Sequence, residues 1–479
     1  MPASQQQTSP LEATEGAEES NTTRAAAWLR RRAFNPYSIA LLLVLVLAVG
    51  LRVWWISYVD VDPQDGRLDD TLFYDRAADA LAEGRGYVHL HGYPTAQWPP
   101  GYPFILAGIY KAFGYNVLGA KILNVVAGAA TCLLIYALGA RVLNRKAGLL
   151  GALIFALFPS AVQFTALIAT ESIFPVIMLL LILLAIGFGR QQDVSPLKLL
   201  ALGALAGLAS LVRSEAPVLL AMIFIAWIAT RFSWRRFFGH GALMAIGAVA
   251  VIAPWTVRNA LVMDAFIPVS SAAGHTFLTG HREDPYDPLA IFPEAELQEK
   301  YNYLPFPERE VKVEREAMKE GLEYMWGHPT EELQHLGEKF RQFYTDDSDA
   351  LRWVNGKPEP LPLSADEYNT WRTITDRYYY AIMALFVISI PFWISFRDYN
   401  RLLLVLVIVG WNAAHLVFFP GPRYHAPLAP LFSLFAAYLL VLTLQGLFRP
   451  LRLMGRKLAL ALQRLFGRLR LTRRTEAAG

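Results

Sequence analysis

YSIALLLVLVLAVGLRVWWISY, residues 37–58, is followed after a short acidic linker by DDTLFYDRAADALAEGRGYV, residues 69–88. The first stretch is apolar for long enough to carry a helix across ~30 Å of hydrocarbon. The second places paired carboxylates, Asp69 and Asp70, at the head of an amphipathic helix. Apolar and small residues recur at Leu72, Phe73, Ala77, Ala80 and Leu81, giving one face greasy enough to lie on a bilayer. Gly84 and Gly86 then end the helix. Capping a helix N-terminus needs one side-chain acceptor, which leaves the other aspartate for chemistry at the membrane surface. Which of the two does which is open at this level.

The rest of the chain repeats the first pattern. Of 479 residues, 54% are hydrophobic and 13% aromatic, and the apolar residues fall in blocks of roughly 17 to 24, the length of a membrane-crossing helix. This excludes an ordinary soluble multidomain protein and gives an all-α polytopic membrane protein. The single cysteine, Cys132, lies in an apolar block and rules out an internal disulfide or a Cys-based metal site. Residues 1–36 are polar, end near Arg30-Arg31-Arg32 and read as a disordered tail. The run after them is too long for a signal-peptide core and reads as a retained anchor.

Ten candidate spans lie near 37–58, 117–140, 147–167, 171–188, 196–212, 215–230, 239–257, 377–395, 400–419 and 424–445. An even count places both termini on one side. Arg30–Arg32, Arg141/Arg145/Lys146, Arg190/Lys198, Arg231/Arg235/Arg236, Arg397/Arg401 and the Arg-rich end all fall on that side, so it is expected to be cytoplasmic at the inner or plasma membrane. Residues 446–479 form a basic amphipathic segment suited to anionic lipid, or to a partner protein. The expected organisation is a tail (1–36), a transmembrane region (37–257) whose first external loop is 59–116, an external helical region (258–376), a second transmembrane region (377–445) and the basic end (446–479). Within the external region, PEREVKVEREAMKEGLEYMW and PTEELQHLGEKFRQFY have helical periodicity. They are separated at Gly327-His328-Pro329, with a capping run from Thr330 to Glu332. TDDSDALRWVNGKPEPLPLSADEY (345–368) reads as a mobile loop or lid.

Ionisable groups at the edge of a bilayer are costly and mark function. Asp69, Asp70, Glu171, Arg213, Glu215, Arg258, Arg423 and His425 all fall at the outer ends of spans. Each has a structural reading: Glu171 beside Thr170 at a helix start, Arg213 and Glu215 as a neutralising pair, Arg423 as an interface anchor. Together, acids and bases on one face point to a polar cavity open to the outside. TrpProProGly at 98–101 and a second short amphipathic helix beyond it would suit access by a lipid substrate.

DDTLFYDRAADALAEGRGY, PPGYP, TES, LVRSEA, PWTVRN, HP with the Lys of EKF, and PRYHAPLAP occur in this order. Over residues 37–445 this series resembles the GT-C membrane glycosyltransferases, specifically the branch of protein O-mannosyltransferases and aminoarabinose lipid A transferases (glycosyltransferase family 39-like). The resemblance implies an inverting enzyme that moves a sugar from a polyprenyl-phosphate donor to an external acceptor. It implies Asp70, with Tyr74 four residues on, as the base, and Glu171 as a further acidic catalytic position. Arg258, Asn259 and Arg423 resemble positions near the lipid phosphate, while Arg282, His425, Arg213 and Glu215 are further substrate-binding candidates. One departure is that a lysine expected before the proline pair is absent, Gln97 and Trp98 standing there. Asp60-Val-Asp62 has the look of a metal-binding pair without the following tyrosine. Since arginines suffice for a phosphate leaving group, no metal or other cofactor is expected. The expected partners are the lipid-linked sugar, a lipid, protein or glycan acceptor and membrane lipids, with no nucleic acid. A transporter or lipid flippase is the alternative from another class, but the charges sit at the outer edge, not at mid-membrane where transporter sites lie.

Overall fold

The computed structural model describes residues 35–64, 70–188, 194–230, 233–283, 295–356 and 361–447. Asp69 and most of the two terminal segments lie outside them. The regular elements among the described residues are helices, and the one piece of β-structure there is an isolated antiparallel bridge, Val88 with Pro94.

Helix α1 (Pro36–Tyr58) starts where Asn35 caps it by accepting from the Tyr37 amide. Two shorter helices follow, α2 (Asp70–Ala82) and α3 (Gly101–Phe113). Then come α4 (Val117–Val142), α5 (Arg145–Ala156) and the short α6 (Pro159–Gln163), α7 (Phe174–Phe188), α8 (Pro196–Val212), α9 (Pro217–Ala229) and α10 (Trp234–Met263). The segment between α10 and the next long helix holds α11 (Ala273–Gly280), α12 (Ala295–Lys300), α13 (Glu308–Gly327), α14 (Pro329–Phe343) and α15 (Asp349–Val354). Finally α16 (Ala365–Trp393), α17 (Tyr399–Val417), a 3-10 turn over Pro422–Leu428 and α18 (Ala429–Leu447) return through the core.

Helices cover all ten segments expected from the sequence. By length and apolarity five of them can cross a membrane, or six if the bent pair Arg145–Ala156 and Pro159–Ala166 is one span. Helices α7, α8 and α9 are apolar but short of the ~20 residues a straight span needs. The 60° bend between α5 and α6 follows from Pro159, which cannot donate to the preceding turn. Carbonyls near the break find other donors: Ala156 accepts from Arg52 Nη1 at 3.5 Å and Ile154 from the Tyr378 hydroxyl at 2.8 Å.

Core packing is helix on helix. Helices α8 and α10 meet backbone to backbone, since a Cβ on Gly203 would strike the Met244 carbonyl and one on Gly247 the Leu200 carbonyl. Small residues at such crossings let helices approach where no hydrophobic force joins them in lipid.

Three expectations are overturned. Helix α2 does not lay its apolar face on a bilayer: Phe73, Ala77, Ala78 and Ala80 are buried against α3, with Ile168, Leu211 and Trp255 completing the cluster. The 345–368 segment is not a plain loop. Within it α15 buries Ala350, Leu351 and Val354 in one cluster with Trp55 of the first span and Val59 just beyond it. The expected cap of α14 is also absent, for Glu332 pairs instead with His281 and Lys339.

Candidate active site

Helix α2 presents Asp70 as its first residue. Asp75 fixes the same helix from within, its carboxylate accepting from the hydroxyls of Tyr110 at 2.7 Å and Tyr115 at 2.8 Å and from Gln64 Nε2 at 3.2 Å. Asp70 Oδ2 accepts from Arg423 Nη1 at 2.8 Å and Oδ1 from the Trp98 indole at 3.0 Å. The side chains of Asp70 and Arg423 keep 24% and 21% of their surface, so this pair faces an opening.

Behind it lies a buried pair. Arg213, at the C-terminal end of α8, reaches Glu171 Oε1 at 3.3 Å and Thr170 Oγ1 at 3.4 Å, with Glu215 at 3.9 Å. Glu171 and Arg213 retain only 3% and 6% of their side-chain surface. The Arg213 guanidinium lies over the rings of Phe174 and Tyr424, and that of Arg423 over Trp353 and Tyr424, cation–π contacts that hold planar cations without neutralising them. The Asp349 carboxylate accepts from the Arg423 amide at 2.6 Å, which ties α15 to the turn before α18.

Burial alone would raise the Asp70 pKa, but the Arg423 charge and the hydrogen bonds from Arg423 and Trp98 outweigh it and hold the carboxyl below its ordinary value. The residue is therefore ionised at neutral pH.

The structure thus joins Asp70, Glu171, Arg213, Glu215 and Arg423. Other residues singled out in the sequence are engaged elsewhere. Arg258 donates to the carbonyls of Thr95 at 2.6 Å and Tyr87 at 2.8 Å, and Asn259 to that of Ile267 at 2.9 Å, so both stitch loops together. His425 is fully buried, with Nδ1 2.8 Å from the Phe343 carbonyl and Nε2 3.0 Å from Asp347. Arg282 is half-buried just beyond α11. Tyr74 is buried edge-on to Tyr102. Asp62 accepts from the Gln64 amide, and among the described residues no three His, Cys, Asp or Glu side chains converge as a metal site. Trp98, Trp353 and Asp349 escaped the sequence reading as partners of the cluster. Trp98 carried the only signal, as the residue beside the missing lysine.

Residues 97–257 match the sequence family described as dolichyl-phosphate-mannose-protein mannosyltransferase. No curated protein matches the chain. Among solved structures, the apo oligosaccharyltransferase of Archaeoglobus fulgidus superposes with a TM-score of 0.51 at 17% identity, covering 87% of this chain and 52% of that one. The oligosaccharyltransferase AglB of the same organism, in complex with an inhibitory peptide and a dolichol-phosphate, gives 0.50 at 13% identity over the same shares. This chain therefore spans about half the length of those proteins, 52%. ArnT of Cupriavidus metallidurans bound to undecaprenyl phosphate is a more distant match, with a TM-score of 0.40 at 13% identity, covering 83% of this chain and 77% of that one. The chain shares its helical fold with those oligosaccharyltransferases, and a third of it, residues 97–257, carries the pattern of the family described as dolichyl-phosphate-mannose-protein mannosyltransferase.

Proposed function

We propose that this protein is an inverting glycosyltransferase that moves a sugar from a polyprenyl-phosphate donor to an acceptor hydroxyl, with Asp70 as the base. The observation that carries the reading is the Asp70–Arg423 contact of 2.8 Å at an open edge of the buried Glu171–Arg213 pair. An anionic proton acceptor and a cationic fork stand side by side, as displacement of a phosphate requires.

In the step, the acceptor oxygen bonds to the anomeric carbon as the bond from that carbon to the phosphate oxygen breaks. The acceptor proton passes to Asp70, and the departing phosphate gains negative charge. Arg423 uses Nη1 on Asp70 and Nη2 on the Tyr424 hydroxyl. Of a guanidinium's five N–H donors, the rest serve the phosphate as its charge grows. Arg213 adds field from behind while Glu171 holds it in place. A single displacement inverts the anomeric centre, since no glycosyl-enzyme forms. Asp70, held ionised, is a weak base, which suffices when the hydroxyl proton leaves late, after the anomeric carbon has become strongly electrophilic. Cationic side chains take the place that a metal would hold. Arg258, Asn259 and His425 position loops around the site, and Tyr74 packs the helix that carries Asp70.

In the sequence, the basic segments fall at the ends of the expected spans opposite this cluster, and the positive-inside rule supports reading the site as outside the cytoplasm, with both termini inside it, in the cell membrane. Activated sugars there arrive already on a lipid phosphate. The test is the full-length protein in proteoliposomes given a labelled polyprenyl-phosphate sugar and an extract of acceptors. Label appearing on an acceptor is the expected result; label crossing the bilayer without transfer would replace the reading with a transporter.

A further inference from the structure

Beside the Asp70 cluster, the external region encloses a second space of about 310 Å3, lined by His89, Gln97, Trp98, Gln298, Phe306 and Arg309. It lies between a tight turn of the first loop and the α12–α13 segment. The turn is closed by the Val88–Pro94 bridge and by the His89 amide donating to Tyr93 O at 2.7 Å. Trp98 belongs to both places. Its indole nitrogen donates to Asp70, one face stacks on Phe73 at 3.8 Å, and the ring lines this cavity.

The chemistry of the lining is specific. The Phe306 ring stacks with Tyr93 at 5.0 Å and with His89 at 6.1 Å, so aromatic faces dominate one side. Its charged groups are already engaged. The Arg309 guanidinium donates to the carbonyls of Asn302 and Leu304. Glu310, at the cavity edge, accepts from Thr95 Oγ1 at 2.6 Å, Ala96 N at 2.9 Å and Ser271 Oγ at 2.7 Å. Open capacity sits on neutral groups: the Gln97 and Gln298 amides line the space, and His89 Nδ1 is buried with no partner. Burial, helped by neighbouring His91, pulls the His89 pKa down to about 4, so its imidazole is uncharged at neutral pH.

A ligand that suits this lining has apolar faces for aromatic rings and neutral hydroxyls for amides and imidazole. A phosphate would meet the carboxylates of Glu310 and Glu314, while Arg309 is drawn toward the Asn302 and Leu304 carbonyls. An acyl chain would strand His89, Gln97 and Gln298 without hydrogen-bond partners. We propose that this cavity is a saccharide subsite that seats a neutral sugar ring of the acceptor, with Trp98 as the wall shared between that ring and Asp70. This rests on the transferase reading and adds the chemical class of the acceptor, a glycan in place of a polypeptide or a plain lipid.

The test is saturation-transfer NMR on the full-length protein in nanodiscs, with methyl hexopyranosides and methyl pentopyranosides as probes and a capped Ser/Thr peptide as the rival. Phe306→Ala and Gln298→Leu are compared with wild type, each checked for an unchanged near-UV circular dichroism spectrum. The expected result is saturation of glycoside ring protons in wild type, with affinity at least about tenfold weaker in both variants and none for the peptide. Absence of glycoside saturation, equal saturation in the variants, or binding of the peptide alone overturns the proposal. Donor turnover is measured in the same preparations. Turnover without glycoside binding removes the subsite and leaves the transferase. Glycoside binding without turnover removes the transferase and the acceptor role with it.

Discussion

Arg423 Nη1 donates to Asp70 Oδ2 at 2.8 Å, joining residues 353 positions apart. The contact fastens the first-loop helix to the turn that precedes the last helix, and it also sets the charge of the proposed base. Burial pushes the Asp70 pKa up; Arg423, then Trp98, bring it down past the ordinary value. A carboxylate with a depressed folded-state pKa contributes stability that is present above the unfolded value and lost as pH falls through the folded one.

In Arg423→Gln the burial effect is left less opposed, so the acid limb of sugar transfer against pH moves to higher pH than in wild type. Transfer rates at saturating donor across pH 4 to 8 check this. An unmoved limb, or one displaced downward, contradicts the assigned pairing.

The buried pair behind predicts an ordering of stabilities. Arg213→Leu leaves Glu171 and Glu215 facing each other without their cation, and removing one partner of a buried pair costs about 3–5 kcal/mol. Glu171→Gln leaves Arg213 with Glu215 at 3.9 Å and two aromatic rings, so it is expected to cost less. Thermal unfolding in detergent reads both, and the reverse order would contradict the arrangement.

Backbone contact between α8 and α10 predicts that Gly203→Leu, whose side chain would meet the Met244 carbonyl, destabilises by at least the ~1–3 kcal/mol of an overpacked core. Gly50→Leu on α1, where nothing lies within 4 Å, is expected to leave the unfolding temperature close to wild type. Equal effects at the two positions would contradict the crossing.

The transmembrane frame was legible because its cause is local. A run that must cover its own backbone in hydrocarbon announces itself residue by residue, and α1 begins within one residue of its expected start. The packing of α2 was not legible. Periodicity at Phe73, Ala77 and Ala80 tells which face is apolar but not whether lipid or α3 covers it. Helix α15 was hidden by its Asp and Ser content, which favours loops until Ala350, Leu351 and Val354 find Trp55 and Val59. In the site, the acidic and basic ends of the spans were visible as a set. Which of them meet was not, because Arg258 and Arg423 look alike in the sequence and differ only in what tertiary structure places before them: backbone carbonyls for one, Asp70 for the other.

The most direct test of the central claim is sugar transfer by Asp70→Asn, purified and shown by thermal unfolding to be folded. Asparagine keeps the shape and one acceptor oxygen but cannot take up the hydroxyl proton. Loss of a positioned general base is worth about 10²–10⁴ in rate, so transfer from the polyprenyl-phosphate donor is expected to fall by that factor while donor binding persists. A folded Asp70→Asn protein that transfers sugar at a near-normal rate would contradict the account.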